Sequence, residues 1–476
     1  MKLSRLLGEL PYGAHDVEIT DVTNDSRKVT PGMAFVCING TNMDGHKYAV
    51  AAANKGAAAV IAEHNVGVCS QVIVPDTKRA YAKMCSALYG DPKDQLKLIG
   101  VTGTNGKTTT TCLIKNVLEQ FGKKVGLIGT IHNMICDKVV PTENTTPDAH
   151  ELHRVFREMV DAGCEYAVME VSSHALEQER VAGLKFAAGV FTNLTQDHLD
   201  YHLTMENYVL AKKKLFYMTD VAVVNSDDKW AEKMTDGIPC AVSTFAVEDA
   251  SAEYRASDLK YRADGVLFRL ENGGRATEVS VRTPGRFSVY NALAAASCLA
   301  SLGFDLQDTL NYLSKSVGVK GRAEVVETGR DFTVIIDYAH TPDGLENVLK
   351  TFNEIKTDRL VVLFGCGGDR DATKRPQMAK IAAELADYCI VTSDNPRTED
   401  PSAIIDDILV GMKGTKTPYT VIENRRDAIH YAVKNAQKGD IIVLAGKGHE
   451  TYQIIMTEKN HFDEREVVQE ALAELS

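Results

Sequence analysis

Short apolar runs, separated by amphipathic or polar stretches, recur along the chain. Residues 96–101 form one such run and end in a Gly-rich turn, after which Leu113, Ile114, Val117, Leu118 and Phe121 follow at the spacing of one helix face. Runs at 166–171, 189–193 and 221–225, and then at 333–337, 360–364, 388–392 and 440–445, read as buried strands, each followed by helix-like or polar sequence. That alternation predicts parallel sheets covered by helices on both faces. Residues 1–95 carry shorter runs, at 34–38, 57–62 and 71–74, between the turn signals Pro31-Gly32, Asn39-Gly40 and Asp44-Gly45, and predict a small α/β domain.

Punctuation between these blocks sets the partition. Tyr89-Gly-Asp-Pro92 precedes the strand at 96, and a helix over 291–302 followed by Gly318-Val-Lys-Gly-Arg322 precedes the strand at 333. The prediction is an α/β chain of three domains, 1–95, 96–324 and 325–476, the last two doubly wound, and 476 residues suit three domains at roughly 100–200 residues each. In both larger domains the polar motifs fall just past strand C-termini, where open α/β sheets bind ligands.

Composition narrows the function. Hydrophobic residues make up 44% and charged residues 25%, the balance of an ordinary globular chain. Against 65 acidic residues stand 53 basic ones, a net charge of −12, which argues against a nucleic-acid partner. The ten cysteines form no C-x-x-C pair and read as reduced, buried thiols. No run approaches 18 apolar residues and the N-terminus lacks a signal-peptide pattern, so the expectation is a cytoplasmic protein without membrane insertion.

Between the strand at 96 and its helix lies Gly100-Val-Thr-Gly-Thr-Asn-Gly-Lys-Thr108. A Gly-rich turn in that setting presents backbone N–H groups and a helix N-terminus to phosphates. Gly103, Thr104, Asn105, Gly106, Lys107, Thr108 and Thr109 are the candidate phosphate-binding residues, with Lys107 neutralising β/γ oxygens and the Thr108 hydroxyl on Mg²⁺. The first glycine departs from the G-x-x-x-x-G-K-[ST] spacing, since position 101 is Val. Glu170, at the end of an apolar strand, is the candidate acid for the metal. Residues 192–202, TNLTQDHLDYH, add hard oxygens and imidazoles that suit Mg²⁺ or Mn²⁺ better than zinc.

The segments TGTNGKTTT, MEVSSHALEQERV, FTNLTQDHLDYHLTMENYVLAKKKLF, DYAHTPDGLENVL, SDNPRTEDP and AGKGHETYQ occur in this order, and their order and content resemble the Mur ligases of peptidoglycan synthesis from Asp25 to Gln453. The shifted first glycine fits that family's variant loop. Within the family the chain looks like the members that add the third residue to UDP-N-acetylmuramoyl-L-alanyl-D-glutamate. The resemblance implies an N-terminal domain for the UDP-sugar, a central ATPase domain and a C-terminal dinucleotide-fold domain that brings in the amino acid. It also implies ATP and Mg²⁺, a monomer, and a carbamylated lysine at Lys212. A carbamate would convert a cation into an anionic oxygen ligand near phosphates.

By the same resemblance, Lys107, His198 and Lys212 carry catalysis. Thr108, Glu170, His198 and carbamylated Lys212 hold metal, and Asn291, Arg322 and Asp337 contact the nucleotide. Asn24, Ser26, Arg27, Thr41, Asn42 and Met43 form the uridine and diphosphate site. Asn144, Thr145, Thr146, Ser172, Gln178 and Arg180 hold the muramoyl peptide end. The motif Asp394, Asn395, Pro396, Arg397 implies meso-2,6-diaminopimelate as the amino acid, because a guanidinium can fork onto its distal carboxylate where the ammonium of lysine would be repelled. Arg370, Gly446 and Glu450 match the other diaminopimelate contacts. The alternatives are a lysine-adding ligase of the same family, a folylpolyglutamate synthetase, and a P-loop ATPase switch without ligase activity.

Overall fold

The structure is a computed structural model and describes residues 1–476 apart from 12–13, 41–42, 143, 263, 317 and 476, with the backbone alone at Asp200. The chain forms two compact units, Met1–Arg255 with Tyr290–Tyr312 and Ala256–Val289 with Leu313–Ser476.

In the first unit, the strands Val22–Thr23, Ala34–Val36, Ala59–Ala62 and Gln71–Ile73 pair in parallel in sequence order. Their sheet packs Val36 and Ile61 against the helices Leu3–Leu7 and Thr77–Leu88. The second of these helices starts where the Asp76 carboxylate accepts the Arg79 N–H. A larger sheet follows. Its parallel strands lie in the order Ala241–Ala246, Thr219–Asn225, Phe186–Phe191, Lys97–Thr102, Tyr166–Glu170, Val125–Ile128.

Lys97–Thr102 is the first of these strands in the chain, yet it lies between two later ones. It is therefore a switch point at which connections leave to opposite sides and a crevice opens beyond the strand ends. Register aligns Thr102 with Phe191 and Val101 with Glu170, so the segments after Phe191 and at Glu170 flank the Gly-rich turn. The helix behind the turn, Lys107–Gln120, buries Ile114, Val117 and Leu118, on the face that the sequence spacing marked.

The second unit has its own sheet, ordered Glu324–Val326, Thr333–Asp337, Ile441–Ala445, Leu360–Phe364, Tyr388–Val391, Tyr419–Val421. Helices cover both faces, with Leu345, Leu349 and Met378 in one core layer and Ile429, Val433 and Val468 in the other. The loops after Asp337, Phe364, Val391 and Ala445 all leave from the C-terminal edge.

Two sequence expectations need correction. The sheets are not wholly parallel, because antiparallel pieces border the parallel strands. Glu324–Val326 runs against Thr333–Asp337, and the hairpin Asn133–Ile135/Lys138–Val140 extends from Val125–Ile128. A further hairpin, Gly265–Asn272/Arg275–Val281, turns through Gly273 and Gly274, both at positive φ (56° and 76°), as a two-residue hairpin turn requires. The cysteines are free, as expected, but not uniformly buried, since Cys69 is exposed and Cys112, Cys136 and Cys240 are half-buried.

Candidate functional site

Two glycines shape the phosphate loop. A Cβ on Gly103 would come within 1.9 Å of Thr192 Oγ1, and one on Gly106 within 2.4 Å of Asn291 Oδ1. Gly106 also has φ 85° and caps the Lys107–Gln120 helix without a side-chain acceptor. The N-terminus of a 14-residue helix is thus capped by a residue with no side chain of its own, a setting that suits an anion. Lys107 Nζ lies over the loop, donating to the carbonyls of Gly103 and Thr104 at 3.0 and 2.8 Å. Thr108 and Thr109 are buried in the first turn.

The neighbouring segment laces this loop down. Thr192 Oγ1 donates to the Asn105 carbonyl at 2.6 Å, Asn193 Oδ1 accepts the Asn105 N–H at 3.0 Å, and the Asn193 carbonyl accepts the Thr104 N–H at 2.8 Å. Thr104 Oγ1 accepts the Thr195 N–H at 3.1 Å and lies 3.3 Å from the Tyr208 hydroxyl. The first hard oxygens of TNLTQDH, read from sequence as metal donors, therefore hold the phosphate loop in shape. Asn291, buried in the helix Arg286–Ser301, accepts from Thr110 Oγ1 at 3.3 Å and so touches the same helix.

Lys212 is fully buried, with Nζ donating to the Gly103 carbonyl at 2.7 Å and standing 4.5 Å from the centre of the Tyr208 ring. Burial, reinforced by the Lys107 cation, lowers its pKa well below the usual lysine range. Burial also pushes His202 down to about 4, and its ring stacks on Tyr208. Glu170 is buried and accepts from the Thr130 N–H at 2.8 Å and Thr130 Oγ1 at 3.0 Å. His198 has φ 52°, pairs with Asp197 at 3.4 Å and lies edge-on to His174, ring centres 4.9 Å apart. Among the described residues no group of three or more His, Cys, Asp or Glu is arranged to hold a metal ion by itself. The available donors are a hydroxyl, a carboxylate and an imidazole, a set that fits Mg²⁺ held mainly by phosphate and water.

Next to this centre, Thr146 Oγ1 donates to the Glu170 carbonyl at 2.8 Å and accepts the Ser172 N–H at 3.1 Å, and Thr145 Oγ1 lies 3.1 Å from Thr130 Oγ1. Arg180 donates to the Thr146 carbonyl at 2.9 Å and to Gln178 Oε1 at 2.7 Å. Gln178, Arg180 and Asn24 line a cavity of about 340 Å³. Asn24 also borders a second cavity of about 260 Å³, together with Asn144. Both cavities touch Tyr81 and Asp148, which sequence reasoning missed, because neither lies in a quoted motif. Arg27 is exposed and grips Asp25, whose carboxyl these hydrogen bonds pull down to about 2. The Ser26 carbonyl accepts from Lys55 at 2.9 Å, and Met43 is exposed. Thr41 and Asn42 lie outside the described residues.

The remaining candidates belong to the second unit. Asp337 is half-buried, its carboxyl accepts the Ala323 and Ala339 N–H groups at 2.7 and 2.8 Å, and the shielding of that carboxyl from water raises its pKa. Arg322 lies over the Tyr338 ring at 5.1 Å. Arg397 has φ 53° and donates to the Gly368 carbonyl at 2.8 Å, and Arg370 donates to the Asp369 carbonyl at 2.9 Å. Gly446 has φ 120°, and a Cβ there would meet Asp394 Oδ2 at 2.5 Å. Burial alone would raise Asp394, but the Lys447 and Arg425 cations outweigh it and hold the carboxyl below its usual value. Pro396 continues the same loop towards Arg397. Lys447, which bridges Asp394, Asn395 and Glu450 at 3.4, 3.0 and 3.1 Å, was missed, since a lysine between two glycines reads as a surface turn.

The chain matches the Mur ligase family, catalytic domain, over residues 18–89, the Mur ligase middle domain over 101–299, and the Mur ligase, glutamate ligase domain, over 321–448. It is 49% identical to a UDP-N-acetylmuramoyl-L-alanyl-D-glutamate–2,6-diaminopimelate ligase of Caldanaerobacter subterraneus subsp. tengcongensis, over 97% of this chain and 96% of that one. The protein of the same name from Listeria monocytogenes is 46% identical over 98% and 97%. A solved structure of such a ligase superposes with TM-score 0.75 at 35% identity, covering 100% of this chain and 99% of that one. Identity of this extent along the whole chain, with three successive domain matches, means that the protein belongs to the Mur ligase family.

Proposed function

We propose that the chain is an ATP-dependent, ADP-forming ligase that joins meso-2,6-diaminopimelate to the D-Glu carboxylate of UDP-N-acetylmuramoyl-L-alanyl-D-glutamate. The observation that carries this reading is the conjunction of a Gly-rich loop leading into a glycine-capped helix N-terminus and, at a second sheet edge, an arginine-bearing loop, in a chain 49% identical to a ligase of that name. Residues 1–95 would bind the UDP-sugar, 96–324 ATP and 325–476 the amino acid. The enzyme would act as a cytoplasmic monomer. Among the described residues no helix is long and apolar enough to cross a membrane.

A carboxylate does not react with an amine unaided. Transfer of the γ-phosphoryl group to the D-Glu carboxylate gives an acyl phosphate, and the diaminopimelate amine attacks its carbonyl carbon. The tetrahedral adduct then expels phosphate. The protein contributes position and charge. The loop amides and Lys107 would cradle phosphate oxygens, Arg180 and Gln178 would hold the peptide end, and Arg397 and Arg370 the distal carboxylate. Thr108, Glu170, His198 and carbamylated Lys212 would hold Mg²⁺, which when bound neutralises phosphate charge.

Phosphate release from ATP with the UDP-muramoyl dipeptide tests this, with meso-diaminopimelate compared against L-lysine. Release is expected to require the dipeptide and to run faster with diaminopimelate. Equal or faster turnover with lysine defeats the diaminopimelate assignment, and release without any amino acid points to an ATPase switch.

A further inference from the structure

The loop expected to choose the amino acid does not hold its own shape. Within the second unit, residues 447–456 grip the turn 394–397 along its whole length. Lys447, with its side chain fully buried, sends Nζ to Asp394 Oδ1 at 3.4 Å, Asn395 Oδ1 at 3.0 Å and Glu450 Oε2 at 3.1 Å. Gln453 Nε2 donates to the Asp394 carbonyl at 2.5 Å, and the Ile454 N–H donates to Asn395 Oδ1 at 2.9 Å. The Arg397 N–H donates to the Ile454 carbonyl at 3.1 Å, and the Met456 N–H donates to the Arg397 carbonyl at 2.7 Å. The strand Tyr452–Ile455, itself paired with Glu458–His461, thus runs along the turn as a further strand would.

Two consequences follow. Asn395 directs its amide inwards, accepting from Lys447 and Ile454 through Oδ1 and donating to Glu450 through Nδ2 at 2.9 Å, so it braces the loop and does not face a ligand. Arg397 has a left-handed backbone (φ 53°), a conformation that a residue with a β-carbon keeps only where its surroundings over-determine it. The surroundings that do so are the two backbone hydrogen bonds from residues 454 and 456, one on each side of its Cα.

We propose that Lys447 and Gln453 are specificity-determining positioning residues. Without touching the amino acid, they fix the turn that aims Arg397, and so set the preference for a substrate with a second carboxylate. Selectivity is then a property of 394–397 and 447–456 together, and exchanging 394–397 alone does not transfer it. The inference rests on the reading of this loop as the diaminopimelate site.

The test compares the full-length enzyme with Gln453→Leu and Lys447→Met. It measures KM for meso-diaminopimelate, ATP and the UDP-muramoyl dipeptide, and the ratio of kcat/KM for diaminopimelate over L-lysine. In Gln453→Leu, loss of its one hydrogen bond to the loop is expected to raise the diaminopimelate KM about tenfold and lower the ratio about as much, with the other two KM values within about twofold, and Lys447→Met, which removes two bonds to the loop, is expected to do so at least as strongly. Gln453 is half-buried, so its variant keeps the test open if Lys447→Met does not fold. A wild-type enzyme with no diaminopimelate preference overturns the underlying reading and this inference with it. A wild-type preference that survives in Gln453→Leu, or three KM values that rise together, overturns the inference alone.

Discussion

Lys212 Nζ donates a 2.7 Å hydrogen bond to the carbonyl of Gly103, inside the phosphate loop, and among the described residues no carboxylate forms an ion pair with it. A charged ammonium in that place would be buried against the Lys107 cation, and burial accordingly lowers its pKa. The uncharged amine is the form that captures carbon dioxide. A ¹³C carbamate resonance is expected from wild-type protein in labelled bicarbonate and none from Lys212→Met. The same variant is expected to lose phosphate release by about 10²–10³-fold, the scale of one group lost from a preorganised charged site. Full activity in carbonate-stripped buffer, or an active Lys212→Met, contradicts the carbamate.

Arg397 anchors one N–H on Gly368, and under the proposed function the rest of its guanidinium would meet the distal carboxylate of diaminopimelate. A hydrogen bond between charged groups contributes roughly 1.5–3 kcal/mol, so losing the fork, which is worth at least one such bond, should raise KM for diaminopimelate by no less than about 10- to 100-fold. Arg397→Gly is the sharper variant, because glycine adopts φ 53° without strain and the change removes little besides the side chain. KM for ATP is expected to stay put. Equal increases in both constants would mean that the guanidinium holds the domain together and does not hold the amino acid.

Much of this architecture was legible in the sequence, and the exceptions share a cause. The parallel strands stood out because they are buried on both faces and read as unbroken apolar runs, as at Leu360–Phe364 and Ile441–Ala445. Gly265–Asn272 and Arg275–Val281 alternate or are partly exposed, and such runs are harder to tell from polar loops. At the site, the Gly-rich turn between strand and helix was legible because its glycines, lysine and threonines are adjacent in the chain. The roles of Thr192, Asn193 and Lys447 were not, since each is defined by a partner about 50 to 90 residues away. Thr192 and Asn193 carry ligand chemistry and use it on the backbone of the neighbouring loop.

His153 is buried in the helix Ala149–Asp161, and its Nδ1 has no hydrogen-bond partner among the described residues. Burial is the main cause of its pKa falling to about 4, with Lys93 and His150 adding to it against Asp91 and Asp94. The unfolded chain titrates this group near 6.5, so between pH 6.5 and about 4 the unfolded state binds the extra proton. Stability is therefore full above pH 6.5 and is lost as pH falls towards 4, by up to about 3 kcal/mol for this residue. Trp230, the single tryptophan, lies in the same unit and reports its unfolding in urea. His153→Leu is expected to flatten the slope of the urea midpoint between pH 6.5 and 4. A slope identical to that of wild type would show that the ring is protonated in the native state.

Thr130 gives Glu170 two hydrogen bonds, one from its backbone N–H at 2.8 Å and one from Oγ1 at 3.0 Å. The carboxylate is 1% exposed, so water does not readily replace a lost donor. Thr130→Val keeps the shape and the N–H but strands one buried oxygen, at roughly 1–3 kcal/mol. If Glu170 holds the nucleotide's Mg²⁺, the unanchored carboxylate meets the ion in a looser position, and half-maximal phosphate release should need about tenfold more Mg²⁺, on the scale of second-layer changes around bound metals. Thr130→Ser retains the hydroxyl and is expected to titrate like wild type. A Thr130→Val enzyme that melts earlier but follows an unchanged Mg²⁺ curve would make Glu170 a structural carboxylate, fixed by Thr130 for the sake of the strand end and not for the metal.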